Sequence, residues 1–338
     1  MGPVSMIFPP PMNCVIYNIK MQQILEPKSS DSRHQRLFNS SQLIPEYFLL
    51  TGFPGLEEQY PWFIFPFCST YLVALMGNSL ILTVIKKNIS LHQPMYLFLA
   101  MLAFAELGVS ASTLPTVLGI FLYSAKKICF EACLLQMFSI HLFSIMESGV
   151  LLAMSVDRFV AIYNPLRYTA LLTLPRIAGT GATLGLKSVM LMFPLPFLLK
   201  RLPFCGHITL SHSYCLHSDL IQLPCGATRP NSILGLCIIT STFGLDSWLL
   251  TVSYVLILYT VLGITSGEGQ WKALNTCVSH ICAVLVYYVP MISVALVHRF
   301  LKHTAPVVHL LLANVYFWCH LCSSPSSIVL RPSRFARG

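Results

Sequence analysis

A few ionisable side chains stand inside stretches that otherwise read as hydrocarbon. Glu106, Glu147, Lys187 and Asp246 each interrupt a long apolar run, and the pair Asp157-Arg158 closes another. A charge in lipid is costly, so such residues are expected to face a protein interior and to pair there. For Lys187 and Asp246, snorkelling to a nearby interface is the alternative. Glu106 and Glu147 lie mid-run. Two buried carboxylates ionise together only beside a counter-charge, which predicts a shared proton or cation. Oxygen ligands suit a hard cation, so a structural sodium ion is the natural candidate.

The cysteines suggest a second kind of chemistry. Cys205, Cys215 and Cys225 recur at intervals of ten in one polar loop, and Cys133 opens an apolar run. Four cysteines allow three pairings, and spacing does not choose among them. Zinc at the interleaved His207, His212 and His217 is disfavoured, because this loop has no Cys-x-x-Cys spacing. Cys68, Cys237, Cys277 and Cys282 fall inside apolar runs and are expected to act as small buried hydrophobes. No nucleophile elbow, His-Glu-x-x-His or phosphate loop occurs, which argues against an enzyme.

The elements that must position these groups are long. Mean hydropathy is +0.69 and only 10% of residues are charged, against roughly 25% in a soluble domain. Seven apolar spans can be marked, at about residues 62–85, 95–122, 133–156, 177–199, 232–264, 273–297 and 306–330. Continuous runs of this length mean membrane helices, since barrel strands would alternate. The expected fold is an all-α seven-helix membrane bundle over 62–330, between an outer segment 1–61 and a short basic tail 331–338. The net charge of +9 is scattered over loops, which argues against a nucleic-acid partner.

Residues 1 to about 38 are polar and proline-broken, and are expected to be disordered. Their apolar patch lacks a cleavage site, so it makes a poor signal peptide, and Met21 is an alternative start. Lys86, Lys87, Arg158, Arg167, Arg176, Lys272, Arg331, Arg334 and Arg337 would lie inside if the N-terminus is outside. Lys126, Lys127, Lys200, Arg201, Arg229, Arg299 and Lys302 would lie outside, so the positive-inside bias is weak. The loop cysteines and the glycosylation acceptor Asn39-Ser40-Ser41 share one face, and both belong in an oxidising compartment. An extracellular N-terminus follows.

Seven spans with Asp157-Arg158-Phe159 after the third resemble a rhodopsin-like G-protein-coupled receptor. Gly77-Asn78, Pro94-Met95-Tyr96-Leu97-Phe98-Leu99, the run Met154 to Tyr163, Pro165-Leu166-Arg167-Tyr168, Ser253-Tyr254 and the run Lys272 to His280 narrow the resemblance to an olfactory receptor. Leu49 to Glu57 and Val297-His298-Arg299-Phe300 resemble its class I, fish-like branch. The resemblance covers about 39–316. It implies bridges Cys133–Cys215 and Cys205–Cys225, and an inner cation site with Glu106 in the usual place of Asp beside Glu147. It makes Arg158 a switch residue restrained by Asp157, and makes Tyr288 and Pro290 the pivot of the sixth helix.

The class I resemblance implies a small carboxylic-acid or related volatile odorant, with chain length and chemical class left open. Arg299 ends the sixth span, and a guanidinium binds a carboxylate bidentately. His141 lies eight residues past Cys133, about 12 Å along the helix. An aliphatic tail is expected against Met137, Ile140, Ser144 and Phe243. Ser218 and Ala295 are smaller or less polar than a tight acid site would use. The implied partners are the odorant, a stimulatory olfactory G protein that raises cAMP, and plasma-membrane lipid.

After Tyr316 the resemblance fails. Phe317–Gly338 lacks the family's prolines, its Asn-Pro-x-x-Tyr and its basic amphipathic helix. One frameshift near Phe317, in a variant allele, a pseudogene or a sequencing error, is the expected cause. A retained or non-signalling receptor is therefore the alternative function. A transporter or channel is a remote one, because no inverted repeat or broken-helix pair is present.

Overall fold

The computed structural model describes residues 44–51, 60–206, 208–210 and 212–263, and within 270–289 residues 270, 271, 274, 277, 278, 280–285 and 287–289. Asn39, His207, Pro290, Ala295, Arg299, the seventh span and the tail lie outside the described residues. Among the described residues, five helices are long and apolar enough to cross a membrane: α1 (Tyr60–Lys87), α2 (Pro94–Tyr123), α3 (Phe130–Tyr163), α4 (Leu174–Lys200) and α5 (Arg229–Leu262). An apolar helical segment, His280–Val289, follows.

Local chemistry sets their ends. Lys86 and Lys87 complement the C-terminal dipole of α1. Asn88 Nδ2 donates to the carbonyl of Val84 at 2.8 Å, and His92 Nε2 lies 3.0 Å from that of Ile85. Carbonyls that a helix end leaves open are thereby satisfied. Pro94 then opens α2, where its missing N–H costs nothing. The third span, expected to end at 156, continues through Asp157-Arg158 to Tyr163. Polar residues do not terminate a helix, whereas a residue before proline resists helical geometry, and Asn164 precedes Pro165. In α5 the residues Thr240–Gly244 form a π turn, with Thr242 Oγ1 donating to Ile238 O at 2.6 Å. One extra residue in a helix rotates everything after it by about 100°.

The chain forms two compact units. The first comprises the described residues up to 66, 113–139 and 193–235. It holds three strands in the order β2-β1-β3: β1 (Tyr47–Leu50), β2 (Lys127–Cys129) and β3 (Thr209–Leu210). β1 runs antiparallel to β2, with Tyr47 opposite Cys129, and parallel to β3, with Leu50 opposite Leu210. Phe48, fully buried, packs 5.6 Å from Phe130 and 5.7 Å from Phe204, ring centre to ring centre. Lys127 Nζ stands 4.9 Å above the Tyr47 ring, a cation–π contact.

The second unit comprises 67–112, 140–192 and the described residues from 236 onward. Its main core joins Phe98 and Leu102 of α2, Val150, Leu151 and Met154 of α3, Ile177 of α4, Leu250 of α5, and Tyr287 and Tyr288. A smaller core sets Ile81 and Ile85 of α1 on Leu99 and Ala103 of α2. Without a hydrophobic drive between helices in lipid, close approach depends on small residues. A Cβ on Gly108 would meet three atoms of the Phe143 ring at 2.4 to 2.5 Å. Phe143 is also edge-on to Phe104, 5.9 Å away, so the ring has little room to yield. Gly108→Val should therefore destabilise the chain by about 1–3 kcal/mol, the usual penalty of overpacking. A thermal-unfolding comparison in detergent checks this, and an unchanged midpoint would refute the close packing.

Cys277 is buried in this unit, but Cys237 and Cys282 are exposed on the helix surfaces. Cys68 is half-buried, so the expectation of four buried thiols holds in full for Cys277 alone. A thiol is apolar enough to face lipid as readily as core.

Candidate functional site

In the first unit the disulfides tie the long loop to itself and to α3. Cys133 is joined to Cys215, with Cα atoms 5.5 Å apart and 82 residues between them in sequence. Cys205 is joined to Cys225, 20 residues apart. A polar chain supports the first bridge. The Cys215 backbone N–H donates to Gln136 Oε1 at 2.8 Å, and Gln136 Nε2 donates to Thr116 Oγ1 at 2.9 Å. In the same loop, His212 Nδ1 and Asp219 Oδ2 form a buried hydrogen bond, the two side chains only 1% and 7% exposed. Sequence reasoning singled out neither Gln136 nor Asp219. The signal lay in polar residues close to cysteines, and it is a weak one.

In the second unit the intramembrane charges find partners. Asn78 Nδ2 donates to Glu106 Oε2 at 2.8 Å, with both side chains buried. Glu147 is buried on α3. Ser148, its neighbour, donates to Asp246 Oδ2 at 2.7 Å and lies 2.7 Å from the Tyr288 hydroxyl. Lys187 Nζ stands 3.8 Å from Asp246 Oδ1. Snorkelling therefore does not describe Asp246, which is 2% exposed. The π turn just before it aims its side chain, and no 3.6-residue pattern announces that rotation. Tyr287 donates its hydroxyl to the Ser144 carbonyl at 2.6 Å, so two successive tyrosines bind two positions of α3.

At the end of α3, Arg158 is folded back onto Asp157, with Nε at 3.0 Å and Nη2 at 2.5 Å from Oδ2. Tyr168 donates to Asp157 Oδ1 at 2.7 Å. Burial pushes the Tyr168 hydroxyl well above its ordinary value, and the hydrogen bond to Asp157 and its charge add to the shift. The phenol therefore stays protonated and remains a donor. Tyr254 and His280 hydrogen-bond in the same unit.

The proposed ligand residues are distributed as follows. Met137 is buried and Ser218 half-buried in the first unit; Ile140 and Ser144 are buried and His141 is half-buried in the second. Phe243, within the π turn, packs against the main core of the second unit. Arg299 and Ala295 lie outside the described residues. The second unit also holds an open cavity of about 320 Å³ lined by Met101, Phe104, Met146 and Ile177 among others. It carries none of the proposed ligand residues and offers no polar group to orient a ligand.

The chain is similar to known proteins over most of its length. The olfactory receptor family model matches residues 67–326. Human olfactory receptor 51I2 is 54% identical over 83% of this chain and 90% of its own length. Human olfactory receptors 51I1 and 51G2 are 48% and 52% identical, over 89% and 83% of the chain and 96% and 89% of theirs. Squid rhodopsin superposes with a TM-score of 0.66 at 18% identity, over 83% of this chain and 79% of that one, which makes the fold rhodopsin-like.

Proposed function

Because the chain belongs to the olfactory receptor family, multi-pass G-protein-coupled receptors of the plasma membrane rather than enzymes, we propose that its small-molecule ligand is an aliphatic carboxylic acid. The observation that carries this reading is Arg299, a guanidinium ending the sixth span, together with His141 on α3. Arg299 would take the carboxylate bidentately, and Met137, Ile140, Ser144 and Phe243 would cover the alkyl tail. The G protein would be of the stimulatory olfactory type, so that binding raises cAMP. Glu106 and Glu147 would hold a sodium ion, since two buried carboxylates fit a hard cation.

A second reading rests on the tail. Phe317–Gly338 lacks the Asn-Pro-x-x-Tyr segment, an element expected to couple ligand binding to the G protein. A receptor that folds but does not signal, or that is retained inside the cell, follows from that loss.

The test is a cAMP assay in cells over a panel of aliphatic acids, comparing this chain with a frame-restored tail. We expect a response from the restored version only, with Arg299→Ala weakening it by ten-fold or more, since a lost charge-assisted pair costs about 1.5–3 kcal/mol. A response of unchanged potency in Arg299→Ala would overturn the acid reading. A response from this chain as it stands would overturn the reading of the tail.

A further inference from the structure

Asp246 is a buried carboxylate whose charge state decides the direction of two hydrogen bonds. Its Oδ2 lies 2.7 Å from Ser148 Oγ, which lies 2.7 Å from Tyr288 OH. An ionised carboxylate can only accept, and a serine hydroxyl has one proton. With Asp246 ionised, Ser148 donates to it and Tyr288 must donate to Ser148. With Asp246 protonated, the chain can reverse, running from the carboxyl to Ser148 and from Ser148 to the tyrosine oxygen. An isolated carboxylate away from water takes up a proton rather than remain charged. Something must therefore hold Asp246 in one state.

We propose that Lys187 is the positioning residue that does so. Its ammonium supplies the counter-charge that keeps Asp246 ionised within the membrane, and so fixes which way the Tyr288 hydroxyl points. Lys187 Nζ is 3.8 Å from Asp246 Oδ1, beyond hydrogen-bond length, so the effect is coulombic rather than geometric. Among the described residues no other ion pair involves Asp246. Lys187 reaches it from α4, the one element of this cluster that takes no part in the hydrogen bonds. It thus tunes a contact between α3, α5 and the His280–Val289 segment without touching either donor. The Lys187 side chain is 38% exposed, and Asp246 is the carboxylate it stands beside.

The proposal is tested on the full chain in detergent with K187M, K187R, D246N and the double variant K187M/D246N. Infrared difference spectra between each variant and D246N report a protonated buried carboxyl at position 246. Wild type and K187R should show no such band, and K187M should show it. K187M should also unfold several degrees lower, and K187M/D246N should recover most of that loss, because the uncompensated charge is gone. A K187M protein with no protonated-carboxyl band would overturn the proposal, as would a double variant whose losses simply add. If K187M reaches too low a yield for spectroscopy, recovery of yield in K187M/D246N supports the proposal and continued loss in it refutes it.

Discussion

Replacing both Cys133 and Cys215 with serine is expected to remove the receptor from the cell surface almost completely. The bridge spans 82 residues, and closing a loop of that size in the unfolded chain is worth about 4–5 kcal/mol. A folded domain has a margin of only about 5–15 kcal/mol. The bridge also sits in a dense local network, since Gln136 links the Cys215 backbone to Thr116. Losing it frees the loop that carries His212, Asp219 and Ser218. Serine at Cys205 and Cys225 opens a loop of only 20 residues, worth about 3 kcal/mol, so its loss should be milder. Surface staining of an N-terminal epitope, normalised to total protein, measures both. Equal surface levels for wild type and the Cys133/Cys215 double variant would show that the bridge is dispensable.

His212→Ala is the second large effect. Asp219 is almost wholly buried and His212 is its hydrogen-bond partner. Removing one partner leaves the other buried polar group without its hydrogen bond, which costs about 1–3 kcal/mol. The diagnostic comparison is H212A against H212A/D219A. Removing both groups should cost less than removing the histidine alone, so the two losses are not additive. Unfolding midpoints of the detergent-purified full chain provide the measurement. A double variant as unstable as the sum of the singles would mean the residues act independently, and the pair would then contribute packing only.

These two predictions mark where the sequence was legible. Apolar run length alone indicates membrane helices, because backbone groups in lipid have no water to bond. Intramembrane charges flagged themselves by cost: Lys187 and Asp246 stand out in sequence, and the structure turns one towards the other. What stayed hidden depends on events that leave no periodic trace. The π turn at Thr240–Gly244 adds a residue to α5, and beyond it Asp246 shares one buried face with Leu250, Ile257 and Val261. Ser148, Gln136 and Asp219 look like ordinary polar residues until folding brings their partners to them. The strand at Tyr47–Leu50 is four residues long, too short for an alternation to register. Cys237 and Cys282 fail differently. In lipid, an apolar side chain carries no information about which way it faces.

The small sheet constrains the order in which the protein can be assembled during synthesis. β1 lies near the start of the described chain, yet its parallel partner lies at Thr209–Leu210, and Thr51 donates to a carbonyl 159 positions later. At roughly 5–20 residues per second, the ribosome needs on the order of ten seconds to supply that partner. During that time four long helices are already made, while Phe48 waits for Phe204 and Cys133 for Cys215. Until then an apolar strand with an unpaired edge is exposed in an oxidising compartment. The vulnerable interval for a nascent chain is therefore the stretch before residue 215 emerges, and chaperone or oxidoreductase engagement should be concentrated there.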